Sequence, residues 1–219
     1  MAEPAEFADW YRADPDPFGV RTRWYERRKR AVLLASLRLE RYRCAWDPAC
    51  GTGDLALALA DRCALVVGSD VAPRAVALSR ALTAGRPNVR IERSALPDVV
   101  GIPLVGSARP SAGEESTDGF DLLVLAEVQY YLPAAARAAT VAALDSAMRA
   151  PGPVELVSVH WRHHPHDGFL SGVDVTAELD AQLRGRGWAS AVRHDDAEFV
   201  LASWTRDTAE RAAGGASWT

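Results

Sequence analysis

The chain has 219 residues, 48% of them hydrophobic and 25% charged, which suits one globular domain with its own core and leaves too little for two. A net charge of −4 and a pI of about 5.8 argue against tight nucleic-acid binding. No apolar run is long enough to span a membrane, the acidic N-terminus lacks the apolar stretch of a signal peptide, and Cys44, Cys50 and Cys63 follow no disulfide framework, so a cytoplasmic protein is expected.

The segment "ADPDPFGV" reads as a proline-rich loop. Residues 21–39 place Trp24, Arg28, Val32, Leu33 and Ser36 at helical spacing, which predicts an amphipathic helix with a basic outer face. "RCAWD" reads as a short strand, "GDLALALADRC" as a helix, and "ALVVGSD" as a buried parallel strand. A helix follows over 72–85, with Pro73 in its first turn and Gly85 past its end. "NVRIERS" is a third strand. Residues 97–119 have no period and read as a long loop. "FDLLVLAEV" is a fourth strand, 133–150 a helix, "VELVSVHW" a fifth strand, and "DVTAELDAQLRGRG" a helix. "WASAVRH" and "EFVLASWTR" read as an antiparallel pair, and 207–219 as a frayed tail. Strands alternating with helices imply an α/β domain over 1–206, with a Rossmann-like parallel sheet closed by the antiparallel pair.

The stretch "WDPACGTGDLALALA" carries the first chemical signal. Gly51 to Ala56 match the G-x-G-x-x-G/A turn of dinucleotide binding, so a nicotinamide oxidoreductase is one candidate. Asp47 speaks against it. It ends the first strand, where its carboxylate would face a pyrophosphate. S-adenosylmethionine has no phosphate and carries an ammonium and a sulfonium, which the same carboxylate favours. Asp70 ends the second strand, where a carboxylate accepts hydrogen bonds from two ribose hydroxyls. Asp70 can equally cap the helix beginning near Pro73.

"DPACGTGDLALALA", "GSDVAPRAVALSRA" and "FDLLVLAEVQYYL" together resemble the class I S-adenosylmethionine-dependent methyltransferases. "DPFGVRTRWYERRKR", "VHWRHHPHDGFLSG" and "RHDDAEFVLASWTR" are similar, more narrowly, to the nodulation N-methyltransferase (NodS-like) family, over roughly residues 8–206. The resemblance implies a seven-stranded sheet with one antiparallel strand and helices on both faces. It also implies a site in which Asp47, Ala49, Gly51 and Gly53 hold the methionine end, Asp70 the ribose, and Val71, Ser94, Ala95 and Leu96 the adenine. Ser94 stands in a loop where many relatives carry an acid, and the long 98–119 loop has no counterpart in the family pattern.

Methyl transfer aligns an electron pair with the S–CH3 bond and excludes water. Glu127 ends the fourth strand next to the expected methyl position, either as an anchor for the cofactor ammonium or as a proton acceptor for the substrate. Tyr130 is expected to pack in the core and Tyr131 to wall the site. His160 ends the fifth strand and is the candidate general base, with Arg162 and His163 behind it as substrate contacts. Four histidines in 160–166 also invite a zinc site. Proline interrupts that run, no cysteine is near, and no metal is expected. The helix at about 20–38 is expected to lie over the site as a lid, with Tyr25 and Arg28 contacting substrate. Asp195, Asp196 and Glu198 form either an ordinary charged turn or a collector of a cationic acceptor.

The expected reaction is N-methylation of a small amine, plausibly an amino sugar or glycosylated metabolite, by a monomer or homodimer. O-methylation on the same scaffold, and a subunit that binds cofactor without turnover, remain the rivals.

Overall fold

A computed structural model of the chain describes residues 4–101, 119–148, 150 and 152–207. The centre of the predicted 98–119 loop and nearly all of the predicted tail therefore lie outside the described residues.

Two helices open the chain: α1 (Pro4–Ala13) and α2 (Trp24–Ser36). There follow β1 (Tyr42–Pro48), α3 (Asp54–Leu59), β2 (Cys63–Asp70), α4 (Pro73–Thr83), β3 (Val89–Arg93) and β4 (Leu122–Ala126). A short 3-10 turn (Gln129–Tyr131) leads into α5 (Ala134–Ala147), β5 (Pro153–Trp161), α6 (Gly172–Arg184), β6 (Ala189–Asp195) and β7 (Phe199–Asp207). The seven strands form one sheet in the order β3-β2-β1-β4-β5-β7-β6. All neighbouring pairs are parallel except β5–β7 and β6–β7.

Strand residues alternate between the two faces, as the pleat requires. Trp46, Leu123 and Leu125 pack with Leu144 of α5 and Leu179 and Leu183 of α6. Ala45, Leu122, Val124 and Val157 pack on the other side with Leu33 of α2, Leu59 of α3 and Val76 of α4. Both faces of the central strands are thus covered, which is why they read as unbroken apolar runs. β6 at the edge is mostly exposed.

The chain leaves β1 towards β2 and β3 on one side and returns on the other with β4 and β5. The carboxyl ends of β1 and β4 therefore border a crevice at the point where strand order reverses, the place where open α/β sheets bind ligands.

Three details differ from expectation. Residues 4–13 form a helix, held by Phe7, Trp10 and Phe18 in edge contacts. The helix predicted over 53–63 stops at Leu59, and Cys63 already starts β2. α2 is not wholly basic on its outside, since Lys29 points inward and is 5% exposed.

Candidate active site

A cavity of about 880 Å³ opens at this crevice. Its floor is the turn after β1. Ala49, Gly51 and Gly53 all have positive φ, at 59°, 53° and 84°, so the turn coils tightly. A Cβ on Gly51 would come 2.7 Å from the Tyr11 hydroxyl, and one on Gly53 would come 2.1 Å from Ser79 Oγ. Glycine is required at both positions by close approach as well as by backbone angle. Gly51 lines the cavity, whereas Gly53 sits behind it as the residue before α3.

Asp70 accepts from the amides of Gly51 (3.0 Å) and Ala72 (2.9 Å). Its bond from Ala72 fixes the entry to α4, and it also lines the cavity. Asp47 is 1% exposed and also lines the cavity, yet its Oδ2 has no hydrogen-bond partner. Burial, reinforced by the charge of Asp70, pushes its carboxyl up to about 8. A buried oxygen of this kind calls for a cation or donor from a ligand. Val71, Ser94, Ala95 and Leu96 complete this half of the wall.

Glu127 organises the opposite half. It follows β4 with φ 56°, a left-handed conformation that a non-glycine residue holds only where its surroundings enforce it. Its carboxylate accepts from Tyr25 Oη (2.7 Å), Lys29 Nζ (2.5 Å), the Trp161 amide (2.8 Å) and the Tyr130 hydroxyl. Burial alone would raise this carboxyl. The Lys29 ammonium, His160 and the hydrogen bonds from Lys29 and Tyr130 outweigh it and hold the group down at about 2. Glu127 is therefore a firmly ionised anchor. Lys29 also bonds Glu26 (3.0 Å), whose carboxyl is raised by burial. Tyr131 faces the cavity with Phe7 edge-on at 5.2 Å.

Several expected contacts lie elsewhere. His160 is 0% exposed and does not line the cavity. It packs behind Tyr130 at 5.1 Å, with Nε2 accepting from the Gln129 amide (3.2 Å) and Nδ1 beside Ser158 Oγ (3.0 Å). Burial drives its pKa down to about 4. With both nitrogens engaged and no path to the cavity, it is misplaced for a base. Arg28 pairs with Asp196 and Glu198, Arg162 with Asp195, and His163 Nε2 lies 3.2 Å from the Ala197 carbonyl. These three side chains fasten α2 and the end of β5 to the β6–β7 turn, leaving the acidic cluster of that turn paired. Sequence reasoning missed Tyr11, Glu26 and Lys29. The i, i+3 spacing of Glu26 and Lys29, and the apolar spacing of Phe7, Trp10 and Tyr11, were the available signals.

No protein-family model matches the sequence, and no curated protein matches it. Solved structures do. A Pseudomonas syringae protein assigned as a methyltransferase is 32% identical, with a TM-score of 0.67, over 84% of this chain and 100% of that one. The chain belongs to the class I S-adenosylmethionine-dependent methyltransferases. The N-methyltransferase NodS from Bradyrhizobium japonicum, in complex with S-adenosylhomocysteine, shares the fold at 19% identity and a TM-score of 0.70, over 93% of this chain and 98% of that one. Magnesium protoporphyrin IX methyltransferase from Synechocystis, with bound S-adenosylmethionine, shares it at 15% identity and a TM-score of 0.62, over 94% and 98%. The cofactor is therefore S-adenosylmethionine. Membership of this family sets the oxidoreductase alternative aside.

The burial of neutral His160 has a consequence for stability. Its folded pKa of about 4 lies below the ordinary 6.5, so between those values the unfolded chain binds the extra proton and stability falls as pH falls. Relative to His160→Gln, the wild type should lose on the order of 3 kcal/mol of unfolding free energy between pH 7 and pH 4. Denaturant titrations of both proteins across that range check this, and parallel pH profiles would contradict it.

Proposed function

We propose that this enzyme transfers the methyl group of S-adenosylmethionine to an amine of a small molecule, with an amino sugar or glycosylated metabolite as the class of acceptor. When bound, the cofactor supplies an electrophilic methyl on a sulfonium. Asp47, Ala49 and Gly51 would hold its methionine end. The orphaned Asp47 oxygen and the tight glycine turn fit a cationic, phosphate-free group. Asp70 would hold the ribose hydroxyls, Val71 the adenine face, and Ser94, Ala95 and Leu96 the loop beside the adenine. Glu127, Tyr25 and Tyr131 would border the methyl position.

The absence of a histidine from the described cavity wall carries the choice of an amine. His160 is sealed behind Tyr130, His163 is turned to the β6–β7 turn, and Glu127 is held ionised at about 2. A hydroxyl must lose its proton as it attacks, and beside Glu127 the described wall offers it no histidine, only Glu26, whose carboxylate is held by Lys29. A free amine attacks with its own lone pair. The N–C bond forms, the C–S bond breaks with its electrons on sulfur, and the surplus proton leaves the product ammonium afterwards. Glu26, an acid of the cavity wall with a raised pKa, is the group suited to take that proton. His160 then acts through others, fixing the Gln129 amide and packing on Tyr130, whose hydroxyl bonds Glu127.

Two measurements test this reading. Below pH 8 Asp47 carries a proton in the free enzyme, and a cationic ligand displaces it. Calorimetric titration with S-adenosylmethionine at pH 7, in buffers of different ionisation enthalpy, should show release approaching one proton, lost in Asp47→Asn. Zero release in the wild type would remove Asp47 from the cofactor site. For the acceptor, products from a panel of amino sugars and their hydroxyl counterparts should carry N-methyl groups by NMR. Exclusive O-methyl products would overturn the amine assignment.

A further inference from the structure

Every charged group on the cavity wall can be paired off within the described residues, with three exceptions. Glu26 and Glu127 share Lys29. Asp54 pairs with Arg21 and Glu198 with Arg28. Asp70 is held by two amides. The exceptions are Asp47, which awaits the cationic cofactor, and the guanidinium groups of Arg23 and Arg30. These are the two arginines lining the cavity, and neither guanidinium has an ion pair or hydrogen bond among the described residues. The neighbouring cations of the same helix are all engaged: Arg27 on the Thr22 carbonyl (2.5 Å), Arg28 on the acidic turn, and Lys29 on its two carboxylates.

The placement follows from helical spacing. Arg23 immediately precedes α2, and positions 23, 26, 30 and 33 fall three and four apart, on one face. All four residues there line the cavity. Arg23 and Arg30 stand about 10.5 Å apart along the axis, at 1.5 Å per residue. A guanidinium is a planar fork that matches phosphate and carboxylate, and it stays charged at any working pH. The acceptor half of the cavity thus holds two guanidinium groups without an ion pair or hydrogen bond among the described residues, Arg30 acting on Glu26 through its charge alone.

We propose that the methyl acceptor is an amine that also carries an anionic group, a phosphate or a carboxylate, and that Arg23 and Arg30 bind that group. This deepens the amine reading and rests on it. Docking the anion on α2 would orient the amine nitrogen towards Glu127 and the methyl position, so that recognition of one end aligns the other.

The test uses the intact chain saturated with S-adenosylhomocysteine, titrated separately with inorganic pyrophosphate and with malonate. At least one anion should bind saturably in the wild type. That affinity should fall at least tenfold in Arg23→Gln and in Arg30→Gln, while S-adenosylhomocysteine affinity in the variants, which also reports folding, changes less than twofold. Pyrophosphate binding alone assigns a phosphorylated amine, and malonate binding alone a carboxylated one. Failure of both anions to bind, or equal binding in both variants, overturns the proposal. So does a large loss of S-adenosylhomocysteine affinity in the variants, which would assign the guanidinium groups to the cofactor's own carboxylate. If the wild type bound no S-adenosylhomocysteine, the methyl-transfer reading itself would fail.

Discussion

The Glu127 carboxylate holds the two walls of the site together. It gathers donors from α2 (Tyr25 and Lys29), from the 3-10 turn (Tyr130) and from the end of β5 (the Trp161 amide). It adds a polar tie between the helix that covers the cavity and the sheet, beside the packing of Leu33 and the pairs of Arg28 with Asp196 and Glu198. A buried ion pair is costly to assemble, and removing one partner strands the other, at about 3–5 kcal/mol. Here the ammonium of Lys29 is shared between Glu26 and Glu127, so one deletion would expose two carboxylates to each other. The left-handed backbone at Glu127 shows how tightly the surroundings determine this position. His160 supports it from below by fixing Gln129 and packing on Tyr130.

Charge is divided along the cavity. At the β1–β2 end, two buried acids face a turn of backbone amides, and one oxygen has no partner. A cation at that end would favour the ionised form of Asp47, which burial otherwise disfavours. At the α2 end, Glu26 and Glu127 are neutralised in part by Lys29, and two further guanidinium groups are left over. On the proposed reading, the two ends of one cavity would present opposite charge to a cationic methyl donor and to its acceptor.

Much of the fold was legible because its sheet is buried on both faces. Continuous apolar runs ending in Asp47, Asp70 and Glu127 marked three parallel strands and the edge at which a ligand sits. The glycine turn was legible because its backbone angles admit little else. What the sequence concealed was direction. His160 ends the fifth strand, but the pleat turns it inward under Tyr130, and only the register of β5 decides that. Arg28 has the same helix and composition as Lys29, yet one residue of rotation sends it to the acidic β6–β7 turn and sends Lys29 into the core. Helix α1 was overlooked because an acidic, proline-flanked N-terminus resembles a loop. Phe7, Trp10 and Tyr11 nevertheless carry helical spacing, and Tyr11 closes over Gly51.

Hydrogen exchange on wild type and Glu127→Gln compares the two walls most directly. If this carboxylate holds the acceptor wall to the sheet, amides of α2 should lose at least tenfold of their protection in the variant, while those of β1, β2 and β4 stay unchanged. Equal protection of α2 in the two proteins would contradict the account, because the covering helix would then be held by its apolar face and the Arg28 pairs without help from Glu127.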